Sequence, residues 1–188
     1  KNPKVYCSGT SKKIIERYLN CRVFNQYGGA EMGPISFSCS HGNNHIFSDT
    51  VHVEVMPAGE LNRQDIGRVV VTHLKNYVMP FVNYFNGDFA YILKNKECGC
   101  GLKSPLMGDI LGREDEIINY KGKIVFPLEI DRLFCDLSNI LMYQVIFENE
   151  RFSVKLVPEN KTGYISEKKL ISGFKRFFGD KNLQVHVE

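Results

Sequence analysis

Five side chains on two loops are of the types that bind a soft metal. Cys39 stands just before His41 and His45 on a polar, Gly/Asn-rich turn, and Cys98 and Cys100 flank Gly99 much further along. Three thiols and an imidazole make a Cys3His donor set suited to a closed, tetrahedral structural zinc site. The Cys-x-Cys spacing is tighter than the usual knuckle, so three reduced, partly exposed thiols remain the alternative. Either His41 or His45 can complete the set. Cys7, Cys21 and Cys135 sit among apolar neighbours and read as small buried hydrophobes.

Three other stretches set carboxylates beside turns. Tyr27-Gly28-Gly29-Ala30-Glu31 puts an aromatic ring, a permissive loop and a carboxylate together. A glycine loop lets backbone amides approach a phosphate, and a carboxylate there can hold magnesium. In Tyr84-Phe85-Asn86-Gly87-Asp88, Asn-Gly is a hairpin signal. Asp88 either sits in that turn or accepts the two hydroxyls of a ribose. In residues 112–127, Arg113, Glu114, Asp115 and Glu116 precede two apolar alternations broken by Tyr120-Lys121-Gly122-Lys123, and Pro127 then opens a helical pattern. A charged hairpin between two differently patterned halves reads as a joint, with a static linker as the alternative.

The elements around these residues fall into two textures. Residues 5–7 read as a strand, 11–19 as a helix capped by Ser11, and 21–26 as a short strand ended by Tyr27-Gly28-Gly29. That order is the signature of an α/β layer. Residues 45–47, 51–55, 67–74 and 89–93 then read as short strands of an all-β patch. Past the joint, the pattern predicts a helix over 128–137 and a hairpin of 143–147 with 151–157. A second helix capped by Ser166 and a last strand over 183–187 complete a small α+β module.

The bulk numbers set bounds. The 188 residues are 43% hydrophobic and 24% charged, the composition of a soluble globular protein. A net charge of +3, with no long basic run, argues against nucleic acid as a partner. No apolar run approaches the roughly 18 residues that span a bilayer, so no membrane partner is expected. No signal peptide is visible, and the expected compartment is the cytosol, where disulfides are not expected. The chain begins at Lys1 and ends in a strand-like alternation, the pattern expected of a piece of a longer protein.

The motifs in this order resemble a known family. Tyr-Gly-x-x-Glu, then Tyr-x-x-Gly-Asp, then Gly-Arg-x-Asp-Glu with a following Gly-x-x-Val-Phe-Pro are similar to the adenylate-forming superfamily of acyl-CoA synthetases, luciferases and adenylation domains. Leu74-Lys75, Met79-Pro80 and the run from Lys121 through Val125-Phe126-Pro127 to Ile130 resemble its phenylacetate–CoA ligase-like branch, which also contains capsular-polysaccharide-associated members. The resemblance covers nearly the whole chain. It implies an α+β chain: the end of a large α/β adenylation domain with a small β-rich subdomain over residues 1–111, and a C-terminal lid module over 112–188.

The resemblance also implies an activity. Family members use ATP and magnesium to turn a small-molecule carboxylate into an acyl-adenylate, then usually form a thioester with coenzyme A. By resemblance, Tyr27 and Gly28 lie against the adenine and Ser8 and Gly9 border it. Glu31 holds Mg2+, Asp88 binds the ribose, Arg113 adds a ribose or phosphate contact, and Asp115 is the pivot of the lid. Such chemistry needs positioning and charge neutralisation, and a lid that excludes water. Many members of the branch carry a Cys near a His and a later Cys-x-Cys, which favours zinc on Cys39, His45, Cys98 and Cys100, with His41 the alternative histidine.

The chain departs from the family pattern in several places. Ala30 replaces a hydroxyl residue, and Asn83 and Phe85 replace two arginines. The family's phosphate-gripping loop and its C-terminal lysine have no counterpart in the sequence, and Lys181 does not match the setting of that lysine. The piece alone is therefore expected to be inactive. The losses also motivate a second reading, a non-catalytic, zinc-stabilised binding or scaffold module that keeps the ligase architecture.

Overall fold

A computed structural model of the chain describes residues 9–61, 63–93, 97–135, 137–160 and 165–188. The strand expected at 5–7, together with Cys7 and Ser8, lies outside the described residues. The architecture is α+β and dominated by sheet. It divides into two units, Arg22–Ile117, and Ile118–Glu188 taken with helix α1 (Gly9–Leu19). Ser11 lies within the first turn of α1 rather than at its cap. No helix among the described residues is long and apolar enough to cross a membrane.

The Arg22–Ile117 unit holds two four-stranded antiparallel sheets. One runs β1 (Gln26–Gly29), β2 (Gly33–Ser38), β3 (Asn44–Ile46), β7 (Leu106–Met107). The other runs β4 (Val51–Pro57), β5 (Ile66–His73), β6 (Tyr84–Tyr91), β8 (Ile110–Arg113). The Val69-Val70-Val71 run of β5 is buried on both faces, as β-branched residues of an inner strand tend to be. Met32, Ile35, Ile46, Val51, Ala90 and Met107 close around Val69 and Val71 to form the core.

Several expectations for this unit need correction. Residues 21–25 form no strand, and Tyr27-Gly28-Gly29, expected to break one, is itself most of β1. The cause is steric. A Cβ on Gly28 would stand 2.3 Å from the Gly33 carbonyl oxygen, so only glycine lets β1 close on β2 at that bulge. Asn86-Gly87 is not a hairpin turn but lies inside β6. Phe85 pairs with Val70 and Phe89 with Arg68, so Asn86, Gly87 and Asp88 together oppose Val69 in a bulge, with Gly87 at φ 88°. The strand bonds on either side outweigh the local turn preference.

In the second unit, β9 (Ile118–Tyr120) and β10 (Lys123–Val125) flank a two-residue turn, with Lys121 at φ 50° and Gly122 at φ 83°. Both positive angles suit the twist of a tight hairpin. Pro127 opens helix α2 (Pro127–Asp131), and Glu129 Oε2 accepts from the Phe126 N–H at 3.0 Å. The helix expected over 128–137 stops at Asp131. There the Asp131 carboxylate accepts from the Tyr143 hydroxyl, and Phe134 stacks on the Tyr143 ring at 3.8 Å. These contacts hold the chain in turns where side-chain periodicity alone reads as helix.

Strands β11 (Ile140–Glu148) and β12 (Arg151–Pro158) form the expected hairpin, and β13 (Gln184–Val187) pairs parallel to β12. The crossover between them is helix α3 (Glu167–Phe178), whose N-cap Ser166 accepts from the Lys169 N–H. Gly179 ends the helix in the left-handed region at φ 70°. Leu170, Phe174 and Phe178 pack with Phe152, Val154 and Tyr120 to form a separate core.

Candidate nucleotide site and metal centre

The β6 bulge aims Asp88 at Tyr27 on β1. The Tyr27 hydroxyl donates to Asp88 Oδ2 at 2.7 Å, which ties one sheet of the Arg22–Ile117 unit to the other. Burial, then the neighbouring Asp88 carboxylate, pushes the Tyr27 phenol far above its ordinary value. It therefore stays an O–H donor across the physiological range. Arg113 pairs with Asp88 across β6 and β8, and its guanidinium lies against Gly87. Two of the three carboxylate-bearing stretches, with Arg113 of the third, thus converge on one place.

The remaining predicted residues fall nearby or outside. Gly28 lies next to Tyr27 on β1, and Glu31 sits exposed in the loop that joins β1 to β2. A short 3-10 turn over Glu114–Glu116 carries Asp115, which is exposed and makes a 3.4 Å ion pair with Arg113. Gly9 is the first residue of α1 in the other unit. Of the family departures, Asn83 is tied to Thr72, and Phe85 lies under the Arg68 guanidinium at 5.6 Å.

Sequence reasoning passed over Asn86. Its Nδ2 donates to the Tyr27 hydroxyl oxygen at 2.6 Å and to Asp88 Oδ2 at 3.0 Å, while its Oδ1 accepts from the Asp88 N–H at 3.1 Å. The available signal was the two-residue spacing, over which an Asn side chain commonly bonds the backbone. Reading Asn-Gly as a turn hid it.

The second cluster joins Cys39, His45, Cys98 and Cys100, whose ligand atoms all lie within 4.8 Å of one another. Cys39 Sγ is 3.6 Å from Cys98 Sγ, and Cys100 Sγ is 3.3 Å from His45 Nε2. Zinc–sulfur bonds of about 2.3 Å in a tetrahedron put neighbouring sulfurs about 3.7 Å apart, so these spacings fit such a cage. Of the two histidines, His45 is fully buried, with Nε2 toward the thiols and Nδ1 3.0 Å from Ser104 Oγ. That partner leaves Nε2 free to act as a ligand. His41 is exposed, with its ring beside Ser40 and only its backbone N–H on Cys39 Sγ.

The Asn43 amide, the Cys100 backbone N–H and His45 lower the Cys98 thiol to about 5, a thiolate ready to ligate. At Cys100 the Leu102 N–H pulls the thiol down, but burial and the sulfurs of Cys98 and Cys39 outweigh it and raise the value. Cys21 and Cys135, expected to be buried, are exposed. Both follow the apolar runs of their helices, where sequence neighbours do not report burial.

No protein-family model matches the sequence. A phenylacetate–coenzyme A ligase of Thermus thermophilus is 30% identical over 147 residues, which is 74% of this chain and 33% of that protein. One of Pseudomonas putida is 28% identical over 149 residues, 71% of this chain and 31% of that protein. The chain belongs to the adenylate-forming superfamily, in its phenylacetate–CoA ligase-like branch. It spans about a third of the length of these curated relatives. Among solved structures, 2-hydroxyisobutyryl-CoA ligase in its postadenylation state superposes with a TM-score of 0.73 at 21% identity, over 95% of this chain and 41% of that one. Apo MatB of Rhodopseudomonas palustris gives 0.61 at 17% identity, over 95% and 39%. Both share the fold of the adenylate-forming family.

Proposed function

We propose that the chain is the ribose-gripping and lid portion of a cytoplasmic, ATP-dependent acid–thiol ligase. A small-molecule carboxylate oxygen attacks the α-phosphorus of ATP, giving an acyl-adenylate and pyrophosphate. The thiol of coenzyme A then displaces AMP to give a thioester. Asp88 accepts the ribose hydroxyls, the Tyr27 ring and the Gly28 backbone border the adenine with Ser8 and Gly9, and Arg113 adds positive charge on the same side. Glu31 is the carboxylate for Mg2+. Asp115, in a short turn beside the boundary of the two units, is the pivot of a lid over residues 112–188 that closes on the remainder, 1–111. A half-buried Cys39–His45–Cys98–Cys100 cage, whose donor types and spacings suit structural Zn2+, would brace the loops behind β3.

The observation that carries this reading is the Tyr27–Asp88 bond with Arg113 in register opposite Asp88. It supports the reading because residues far apart in sequence, which the resemblance assigns to one nucleotide, lie within reach of one another. Carboxylate-dependent ATP–pyrophosphate exchange, measured on the full-length protein, tests it. Exchange with at least one aryl or acyl acid is expected. A folded protein with none across a broad panel argues against the ligase.

One observation favours the scaffold reading. Asn83 is engaged by Thr72 and Phe85 by Arg68, so neither supplies the polar nucleotide contact that the resemblance implies for the arginine it replaces. Micromolar AMP binding that Asp88→Ala abolishes would dispose of that alternative.

A further inference from the structure

We propose that Asn86 is a positioning residue that holds the Asp88 carboxylate in one orientation for a ribose, and so sets how much affinity the ribose hydroxyls contribute. The inference rests on the nucleotide reading above and adds to it a residue at an unspecified position of the Tyr-x-x-Gly-Asp motif. A terminal carboxylate torsion is broad and soft, so an aspartate left to itself presents either oxygen. Here Asp88 Oδ2 accepts two bonds, from the Tyr27 hydroxyl at 2.7 Å and from Asn86 Nδ2 at 3.0 Å. Asn86 Oδ1 closes a third bond to the Asp88 N–H at 3.1 Å, which locks the two residues to each other across Gly87. Asp88 Oδ1 accepts no hydrogen bond from the described residues.

The lock therefore separates the two oxygens by task. Oδ2 is saturated by protein donors and fixes the torsion, and Oδ1 is left for an incoming hydroxyl. Asn86 Nδ2 also donates to the Tyr27 hydroxyl oxygen at 2.6 Å, which turns that hydroxyl's proton toward Asp88 Oδ2. An acceptor oriented in advance pays little ordering entropy when a ribose binds.

The test compares AMP with 2′,3′-dideoxy-AMP by calorimetry on the full-length protein and its Asn86→Ala variant. The dideoxy nucleotide has no hydroxyl for Asp88. Asn86→Ala should weaken AMP about tenfold, the effect of losing roughly one hydrogen bond to a charged group, and leave dideoxy-AMP unchanged. Equal weakening of both nucleotides, or of neither, overturns the role while leaving the nucleotide site standing. An unsubstituted protein that binds no AMP overturns the nucleotide reading and this role with it. Asn86→Ser supplies a second variant if Asn86→Ala fails to fold, and the same split between the two nucleotides is expected from it.

Discussion

Replacing Gly28 by alanine tests the geometry that delivers Tyr27 to its place. The added Cβ would stand 2.3 Å from the Gly33 carbonyl oxygen, and 3.1 Å from the Gly33 carbonyl carbon and from Pro34 Cα. All three are backbone atoms, so no rotamer change relieves the contact and β1 must move away from β2. Overpacking of this kind costs about 1–3 kcal/mol. Restricting the unfolded chain offsets about 0.4–1 kcal/mol of it. The net loss is about 1–2 kcal/mol, or a fall in Tm of about 4–16 °C for a unit of this size. Gly29→Ala is the control, because its Cβ would meet only the mobile end of Glu31, Oε2 at 3.3 Å. That variant should match or slightly exceed the parent. Thermal unfolding followed by circular dichroism compares the two, and a Gly28→Ala protein as stable as Gly29→Ala would refute the argument. Movement of β1 should also draw the Tyr27 hydroxyl away from Asp88 and weaken AMP binding.

Further outcomes are expected elsewhere. Metal analysis should find about one zinc per chain, and Cys100→Ser should lower the Tm of the Arg22–Ile117 unit; a metal-free, fully folded preparation would contradict this. The Lys121 ammonium, then the Tyr120 hydroxyl and the Asn182 N–H, hold the Asp180 carboxyl at about 2, below its ordinary 3.8. Its contribution to stability is therefore complete above about pH 4 and lost as the pH falls toward 2. Asp180→Asn should flatten that limb of an acid-unfolding curve, and an unchanged limb would show that the contact carries no linkage. Phe174 is fully buried and its ring meets Phe134, Phe152 and Phe178. Phe174→Ala should cost about 3–5 kcal/mol, enough to open residues 118–188 to limited proteolysis before residues 22–117 are cut.

The strand and cap signals were legible where one local preference acted alone. The valine run of β5, the Asn149-Glu150 turn, Pro127 at the head of α2 and Ser166 at the head of α3 sit where the pattern puts them. Legibility failed where a distant contact overrode the local preference. Strand β2 was not anticipated; it carries Pro34, a residue disfavoured in inner strands, which pairs with Gly28 beside the register shift in β1. The end of α2 was misplaced because its stop signal is the Tyr143 hydroxyl, twelve residues on.

The sequence by itself determined the donor types of the cysteine–histidine set, the order of the carboxylate-bearing motifs and the split into two textures, since these depend on residue identity and short spacing. The family resemblance favoured His45 over His41, and the tertiary structure supplies the physical reason, since His45 is buried with a partner for Nδ1 and its Nε2 toward the thiols. Only the sheets decided that Asn86-Gly87 bulges instead of turning. Strand pairs on both sides hold the bulge open, and that geometry brings Asp88, Tyr27 and Asn86 into one hydrogen-bonded group.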